Sequence, residues 1–301
     1  MLVHAALGRQ ALKGVLFSAV LLTASAVMVV PGGTQATPGP DLGAADPFVI
    51  LSTAGITDVP NTSEIIGDIG VEPASGATIT GIECFQVTGT VYTNDGAFPP
   101  IDDSCEVVDA ALLGVAMVDL EAARVDAAGR TPDATLAPEL GNTTVFPGVY
   151  NSSDTTFLIT GTEGPLTLDA QGDPDAVFIF QSPAVQAGAL TVDGGEVILT
   201  GGAQACNVWW STGGATMTGA PSTFKGNILS ASSITLTSGT DVEGRLMARQ
   251  GNVTLDNDTI TRADCAVVPP VPPSTVPPGP PVPPGPPGPP PFITTPPNLT
   301  G

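Results

Sequence analysis

The chain has 301 residues, enough for one large or two ordinary domains, with 36 Gly, 32 Pro and a charged fraction of only 12%. Its net charge of −21 argues against nucleic acid or an anionic membrane as a partner. The one histidine, His4, falls in an N-terminal leader. Once that leader is removed, Ser-His-Asp and Cys-His nucleophiles and His-ligated metal sites are excluded.

Met1 to Ala36 reads as a secretory signal peptide. Arg9 and Lys13 supply the positive start, Gly14 to Val30 the apolar run, and Thr34-Gln35-Ala36 a small-residue cleavage site. Its loss takes away two positive charges and no acid, so −21 becomes −23, and no membrane segment is expected to remain. Residues 37–45 are a linker, and one domain is expected over 46–265. Cys84, Cys105, Cys206 and Cys265 form an even set in an exported chain, which suggests two disulfides. Of the three possible connectivities, Cys84–Cys105 with Cys206–Cys265 is favoured, because the first pair closes a short Gly/Pro/Asp-rich loop.

A helix is predicted over about 104–128. Val107, Val108, Ala111, Leu112, Val115, Val118, Ala122 and Val125 recur at helical spacing. Asp103 and Glu106 fit a capping box, and Gly129 followed by Pro132 ends the run.

The rest reads as short strands. Leu166-Thr167-Leu168, Leu190-Thr191-Val192, Ala215-Thr216-Met217, Ile234-Thr235-Leu236 and Val253-Thr254-Leu255 each place a Thr between apolar neighbours. A strand sends successive side chains to opposite faces, so each Thr points away from the side its neighbours bury. Thr216, Thr235 and Thr254 are 19 residues apart, and Phe224, Val242 and Ile260 are 18 apart. Repetition at that period predicts a solenoid with three short strands per coil, hence a three-sided section. One set of strands is apolar on both faces: Val177-Phe178-Ile179-Phe180, Val208-Trp209-Trp210, Ile228-Leu229 and Leu246-Met247. Such strands need cover on both sides, and the lone helix is the natural cover. Ala77-Thr78-Ile79-Thr80 has the same form as Ala215-Thr216-Met217-Thr218 and is expected to join the Thr face. The coils need not then stack in sequence order. A simple stack would also leave Cys206 and Cys265 about three strand spacings, ~14 Å, apart, beyond the reach of a disulfide unless the last residues fold back.

Two columns of candidate binding residues follow. The first holds Thr78, Thr167, Thr191, Thr216, Thr235 and Thr254. The second holds Thr80, Thr218 and Thr237, interrupted by Asp169, Asp193 and Asp256. Asp169, Asp173 and Asp175 lack the terminal Glu of a calcium loop and read as a turn. Arg245 and Arg249 near Asp241 and Glu243 read as surface ion pairs. Residues 266–301, rich in Pro and free of charge, read as an extended, solvated polyproline II spacer, a candidate for cell-surface attachment.

Several stretches, in order along about residues 46–265, resemble the microbial ice-binding-protein-like family. They include Phe48-Val49-Ile50-Leu51, Gly67-Asp68-Ile69-Gly70-Val71, Pro147-Gly148-Val149-Tyr150, the run from Leu168 to Gln181, Gly202 to Trp210, and Phe224-Lys225-Gly226-Asn227-Ile228-Leu229. The resemblance implies a mainly β fold, an irregular right-handed β-solenoid with one α-helix alongside. It also implies secretion and adsorption to an ice crystal surface through a flat solenoid face, with no cofactor, no metal and no catalysis. The family's ice-face motif, Thr-Ala/Gly-x-Thr/Asn, has no complete copy. Thr80-Gly81-Ile82-Glu83, Thr160-Gly161-Thr162-Glu163, Thr200-Gly201-Gly202-Ala203 and Thr212-Gly213-Gly214-Ala215 each differ at the fourth residue. The alternative is an extracellular adhesin or structural domain without strong ice affinity.

Overall fold

The computed structural model describes residues 37–99, 104–182, 188–218, 222–237 and 239–266. The expected leader, and the Pro-rich segment from residue 267 onward, lie outside these. The described chain is mainly β, with one α-helix, Ala110–Gly129. Its strands pair in parallel across a 13-stranded, a seven-stranded and a three-stranded sheet.

In the largest sheet the strands follow the order Glu106–Val108, Val91–Thr93, Asp68–Val71, Phe48–Ser52, Thr240–Ala248, Ser222–Ser230, Val208–Thr212, Phe178–Gln181, Gly148–Ser152, Ala134–Leu136. Stacking order therefore differs from chain order. The chain enters mid-sheet at Phe48 and builds outward to Val108. The helix then carries it back, and it returns strand by strand until Ile50 pairs with Leu246. Ten parallel strands span ~43 Å, and a 20-residue helix covers ~30 Å of that, so a helix of this length can bridge most of the stack.

That helix packs on the strands that are apolar on both faces. Leu113, Ala116, Met117, Leu120, Ala123 and Ala127 meet Phe48, Leu51, Ile179, Trp209, Leu229 and Met247. The alternate residues Ile50, Phe178, Phe180, Val208, Trp210, Ile228 and Leu246 face the main core. Each large side chain buried under the helix contributes about 1.5–3 kcal/mol. Gln181 ties the helix end down: its Nε2 donates to the carbonyls of Ala127 (2.7 Å) and Arg130 (2.8 Å), two acceptors a helix terminus leaves unpaired.

Two expectations for the helix need correction. It begins at Ala110, later than residue 104, because Glu106–Val108 forms an edge strand beside Val91–Thr93. Its cap is Asp109, whose Oδ1 accepts from the Leu112 N–H at 2.8 Å; Asp103 lies outside the described residues. The expected apolar stripe is also the wrong one. Val115, Val118 and Val125 are exposed, as are Val107 and Val108. The helix is apolar on nearly every side, and the sheet takes the face carrying the longer Leu and Met side chains.

The second sheet runs Phe157–Thr160, Ala189–Asp193, Gly214–Thr218, Ile234–Leu236, Asn252–Leu255, Gly55–Asp58, Ile79–Thr80. The third begins with Thr144–Val145, Leu166–Asp169 and Val197–Thr200. A bridge from Glu196 to Thr223 continues it into the first halves of Ser222–Ser230 and Thr240–Ala248, then Thr259–Thr261 and Glu64–Ile66. The two nine-residue strands turn from this sheet into the helix-covered one at Gly226 and Gly244. A Cβ on Gly244 would stand 1.8 Å from the Gly226 carbonyl oxygen, so no side chain fits at that bend.

Disulfides join Cys84 to Cys105 and Cys206 to Cys265. The second is reached because residues 262–266 fold back along the stack. Ala263 packs on Ala205 and Cys206, its carbonyl accepts from Arg245 Nη1 at 3.0 Å, and the Ala266 N–H donates to Gln204 Oε1 at 2.6 Å. Loops of 21 and 59 residues are worth about 3–4 kcal/mol each in the chain-entropy account. Arg245 and Arg249 do not pair with Asp241 and Glu243. Arg245 is buried and bonds Asp46 at 2.8 Å, Arg249 reaches Glu121 at 3.5 Å, and Glu243 pairs with Lys225 at 2.8 Å. Burial pushes the Arg245 pKa down from its usual value, and Asp46 opposes that shift.

Candidate functional site

The second sheet carries a column of threonines. In the strand register Thr191 lies beside Thr216, Thr216 beside Thr235, Thr235 beside Thr254, Thr254 beside Thr57 and Thr57 beside Thr80. Leu158 adjoins Thr191 at the other end. The inward neighbours are fully buried: Leu190 and Val192, Met217, Ile234 and Leu236, Val253 and Leu255. Alternation then leaves each Thr on the outer side, half-buried or exposed. Parallel strands set the column's repeat at ~4.8 Å, so its six threonines extend over ~24 Å. A β-branched Thr is stiff about χ1, which keeps hydroxyls and methyls at a constant orientation. At the column's end Thr80 Oγ1 donates to Thr57 Oγ1 at 3.3 Å.

Two further rows flank the column. On one side stand Thr160, Asp193 and the backbone of Thr218, with Thr237 and Asp256 continuing the register. Thr237 Oγ1 donates to the Met217 carbonyl at 3.0 Å. On the other side Ala189 adjoins Gly214. Ser233 and Asn252 come next, with Ser233 Oγ donating to Asn252 Oδ1 at 2.9 Å and Asn252 Nδ2 to Thr254 Oγ1 at 3.1 Å. The row through Thr160 and Thr237 is thus interrupted by Asp193 and Asp256, whereas the central threonine column is free of charge.

Three assignments change. Thr167 is not in this sheet; it pairs with Thr144 and Ile198 in the third. Asp169 goes with it, opposite Thr200. Thr78 and Thr80 both shift: Thr80 lies in the central column, while Thr78 precedes the strand, on the flank away from Asp193 and Asp256, and donates its hydroxyl to the Ser75 carbonyl at 2.7 Å. Thr57 was missed. Its alternating neighbours Ile56 and Asp58 were the available signal, but Asp58 disguised it, because an inward acid breaks the apolar pattern. Asp58 is 3% exposed and fully occupied, accepting from Thr62 N–H, Ser63 N–H, Ser63 Oγ and Gln86 Nε2.

Asp258 sits in the turn joining Asn252–Leu255 to Thr259–Thr261. It accepts from the Thr240 N–H (2.9 Å) and the Asp256 N–H (2.8 Å), and its own N–H donates to Ser63 Oγ. Burial pushes its pKa up to about 6, helped by the charges of Asp256 and Asp58.

The family profile described as ice-binding-like matches residues 50–261. The ice-binding protein of Flavobacterium frigoris (strain PS1) is 39% identical over 225 residues, covering 73% of this chain and 75% of that protein. One from a Colwellia species is 38% identical over 223 residues, covering 73% and 82%. Among solved structures, a domain of Shewanella frigidimarina ice-binding protein 1 superposes with a TM-score of 0.66 at 32% identity, over 76% of this chain and all of that domain. An ice-binding protein from an Arctic yeast, solved for the structural basis of its antifreeze activity, superposes at 0.61 and 32% identity, over 77% and 96%. Extent, identity and shape agree: the chain belongs to the ice-binding-like family.

Proposed function

We propose that this protein adsorbs to ice through the threonine column of its second sheet and so limits crystal growth or recrystallisation. The observation that carries the reading is the uninterrupted register of Thr191, Thr216, Thr235, Thr254, Thr57 and Thr80. An ice surface is an uncharged, periodic array of hydroxyl groups. A rigid column of paired hydroxyls and methyls can order water at a fixed spacing and loses little entropy on adsorption. The relatives named above, all ice-binding proteins, support the same reading.

In this reading the three sheets are the walls of a right-handed, three-sided solenoid, exported through the leader at 1–36. It works as a surface, not as an enzyme, and needs no cofactor or metal. Thr237 extends the contact on one side and Thr78 on the other, while Thr167, on another sheet, takes no part. Thermal hysteresis and recrystallisation assays on the processed chain test it: clear activity that survives Thr216→Tyr and Thr235→Tyr would place the contact elsewhere.

Asp193 and Asp256 in the flanking row, with the incomplete ice-face motif, favour a second reading: an extracellular adhesin or structural domain held off the cell by the Pro-rich tail. Absence of hysteresis in the unaltered chain selects it.

A further inference from the structure

The threonine column crosses one joint that chain connectivity does not make. Elsewhere its neighbouring threonines are 25, 19, 19 and 23 residues apart, one coil each. Thr254 and Thr57 are neighbours across 197 residues. Here late coils of the chain meet early ones, and neither disulfide crosses the joint. Alternation cannot set the alignment. Sliding Gly55–Asp58 by two residues against Asn252–Leu255 keeps Ile56 and Asp58 inward and Thr57 outward. It would nonetheless carry Thr57 ~6.6 Å along the strand, beside Asn252 or Asp256, and break the column.

A buried polar net at the corner does depend on the alignment. Asp58 Oδ1 accepts from Ser63 Oγ at 2.7 Å, and Asp58 Oδ2 from Gln86 Nε2 at 3.0 Å. Gln86 Nε2 also donates to the Ser63 carbonyl at 2.8 Å. All three residues are buried. A hydroxyl has one proton, and Ser63 gives its proton to the Asp58 carboxylate, so its oxygen is left as an acceptor. That oxygen faces across the joint and accepts from the Asp258 N–H at 3.0 Å. Thr62 Oγ1 accepts from the Asn257 N–H at 3.0 Å. Backbone bonds from Val59 N–H to the Leu255 carbonyl and from Glu64 N–H to the Asp258 carbonyl flank the pair. A slip would take the acceptors from Asn257 and Asp258 and leave a backbone donor unpaired in a buried turn. An apolar residue at position 58 would satisfy the inward pattern without this constraint, and fixing register is the best-attested use of a buried polar group.

We propose that Asp58 is a positioning residue for the ice contact: acting through Ser63 on the Asp258 turn, it holds Thr57 beside Thr254 and so keeps the two parts of the column in line. The link to ice rests on the reading of the column given above; the alignment itself can be measured without ice.

The test compares the full chain with Ser63→Ala, which removes one hydroxyl and keeps the fold, and with Asp58→Leu. Ile159→Val, a core change in the first strand of the same sheet, serves as the control for a general loss of stability. Methyl NOEs report alignment: the Thr57–Thr254 signal is read against Thr216–Thr235 in the same molecule. We expect that ratio to fall at least about threefold in Ser63→Ala, and the Glu64 and Asp258 amides to exchange at least about threefold faster, with Ile159→Val matching the unaltered chain in both. Asp58→Leu, where it folds, should show the larger change. Thermal hysteresis should fall with the NOE ratio and not with the unfolding midpoint. An unchanged ratio and unchanged exchange in Ser63→Ala overturn the proposal, as does an equal change in Ile159→Val. A lost alignment with hysteresis fully kept overturns the ice contact instead, because the column would then be broken without consequence.

Discussion

The threonine sheet and the third sheet are built from the same material. Both stack short parallel strands that alternate a buried apolar residue with a half-exposed one, and both carry threonines at that outer position. The threonine sheet keeps six of them in one column without a charge. The third sheet interleaves Thr223, Thr259 and Thr261 with Asp241, Glu243, Lys225 and Glu64, and Lys225 and Glu243 form an ion pair. Exposed charges hold their own hydration shells, which an ice lattice does not match. Threonine content and strand spacing therefore do not distinguish the two sheets; an unbroken neutral column does.

The largest effect should come from breaking that column at its centre. Thr216→Tyr or Thr235→Tyr is expected to cut thermal hysteresis roughly tenfold or more, equivalent to at least ~1.4 kcal/mol of adsorption free energy, while the unfolding midpoint stays close to that of the unaltered chain.

Asp258 joins the two sheets at their shared turn and gives them a common pH dependence. Its ordinary carboxylate value is 3.8 and its folded value about 6. Between the two the folded state binds more protons than the unfolded state. Stability should therefore rise as pH falls from about 6 toward 4, by up to ~3 kcal/mol, and be lost as pH rises through 6. Urea unfolding across this range checks it, and Asp258→Asn should remove this part of the slope.

A smaller gain should follow from making the flanking row resemble the column. Asp193→Thr with Asp256→Thr is expected to raise hysteresis about twofold, a change of ~0.4 kcal/mol; unchanged or lower activity would show that the column works alone. The smallest effect belongs to the third sheet. Thr261→Tyr should leave hysteresis unaltered and stability within about 0.5 kcal/mol. A loss of activity there equal to that at Thr235 would erase the contrast between the sheets.

Much of this fold is legible in the sequence alone. Local alternation groups Thr191, Thr216, Thr235 and Thr254, the last three at a period of 19 residues, and the strands from Phe178 to Met247 announce a helix by being apolar on both faces. The misplacements share a cause. Alternation tells which way a side chain points, but not which sheet its strand joins, so Thr167 looked identical to Thr191. A one-residue slip would have turned Thr80 inward and been noticed; a two-residue slip keeps every side chain on its face, so the pattern could not separate Thr78 from Thr80. On the helix, Ala and Val on most sides left the apolar period without a preferred direction.

The sequence by itself determined the kind of element at most positions, the inward or outward sense of the residues in the Thr-centred strands, and the family resemblance, because these depend on residue chemistry and on contacts within a few residues. Only the tertiary structure decided that Ile56 lies beside Val253 and Thr57 beside Thr254, that Cys265 returns to Cys206, and that the helix turns its valines outward. Parallel neighbours are chosen by backbone hydrogen bonds between segments far apart in the chain, and every peptide unit offers the same donor and acceptor. The choice among partners therefore rests on how the whole core packs, which no local stretch of sequence encodes.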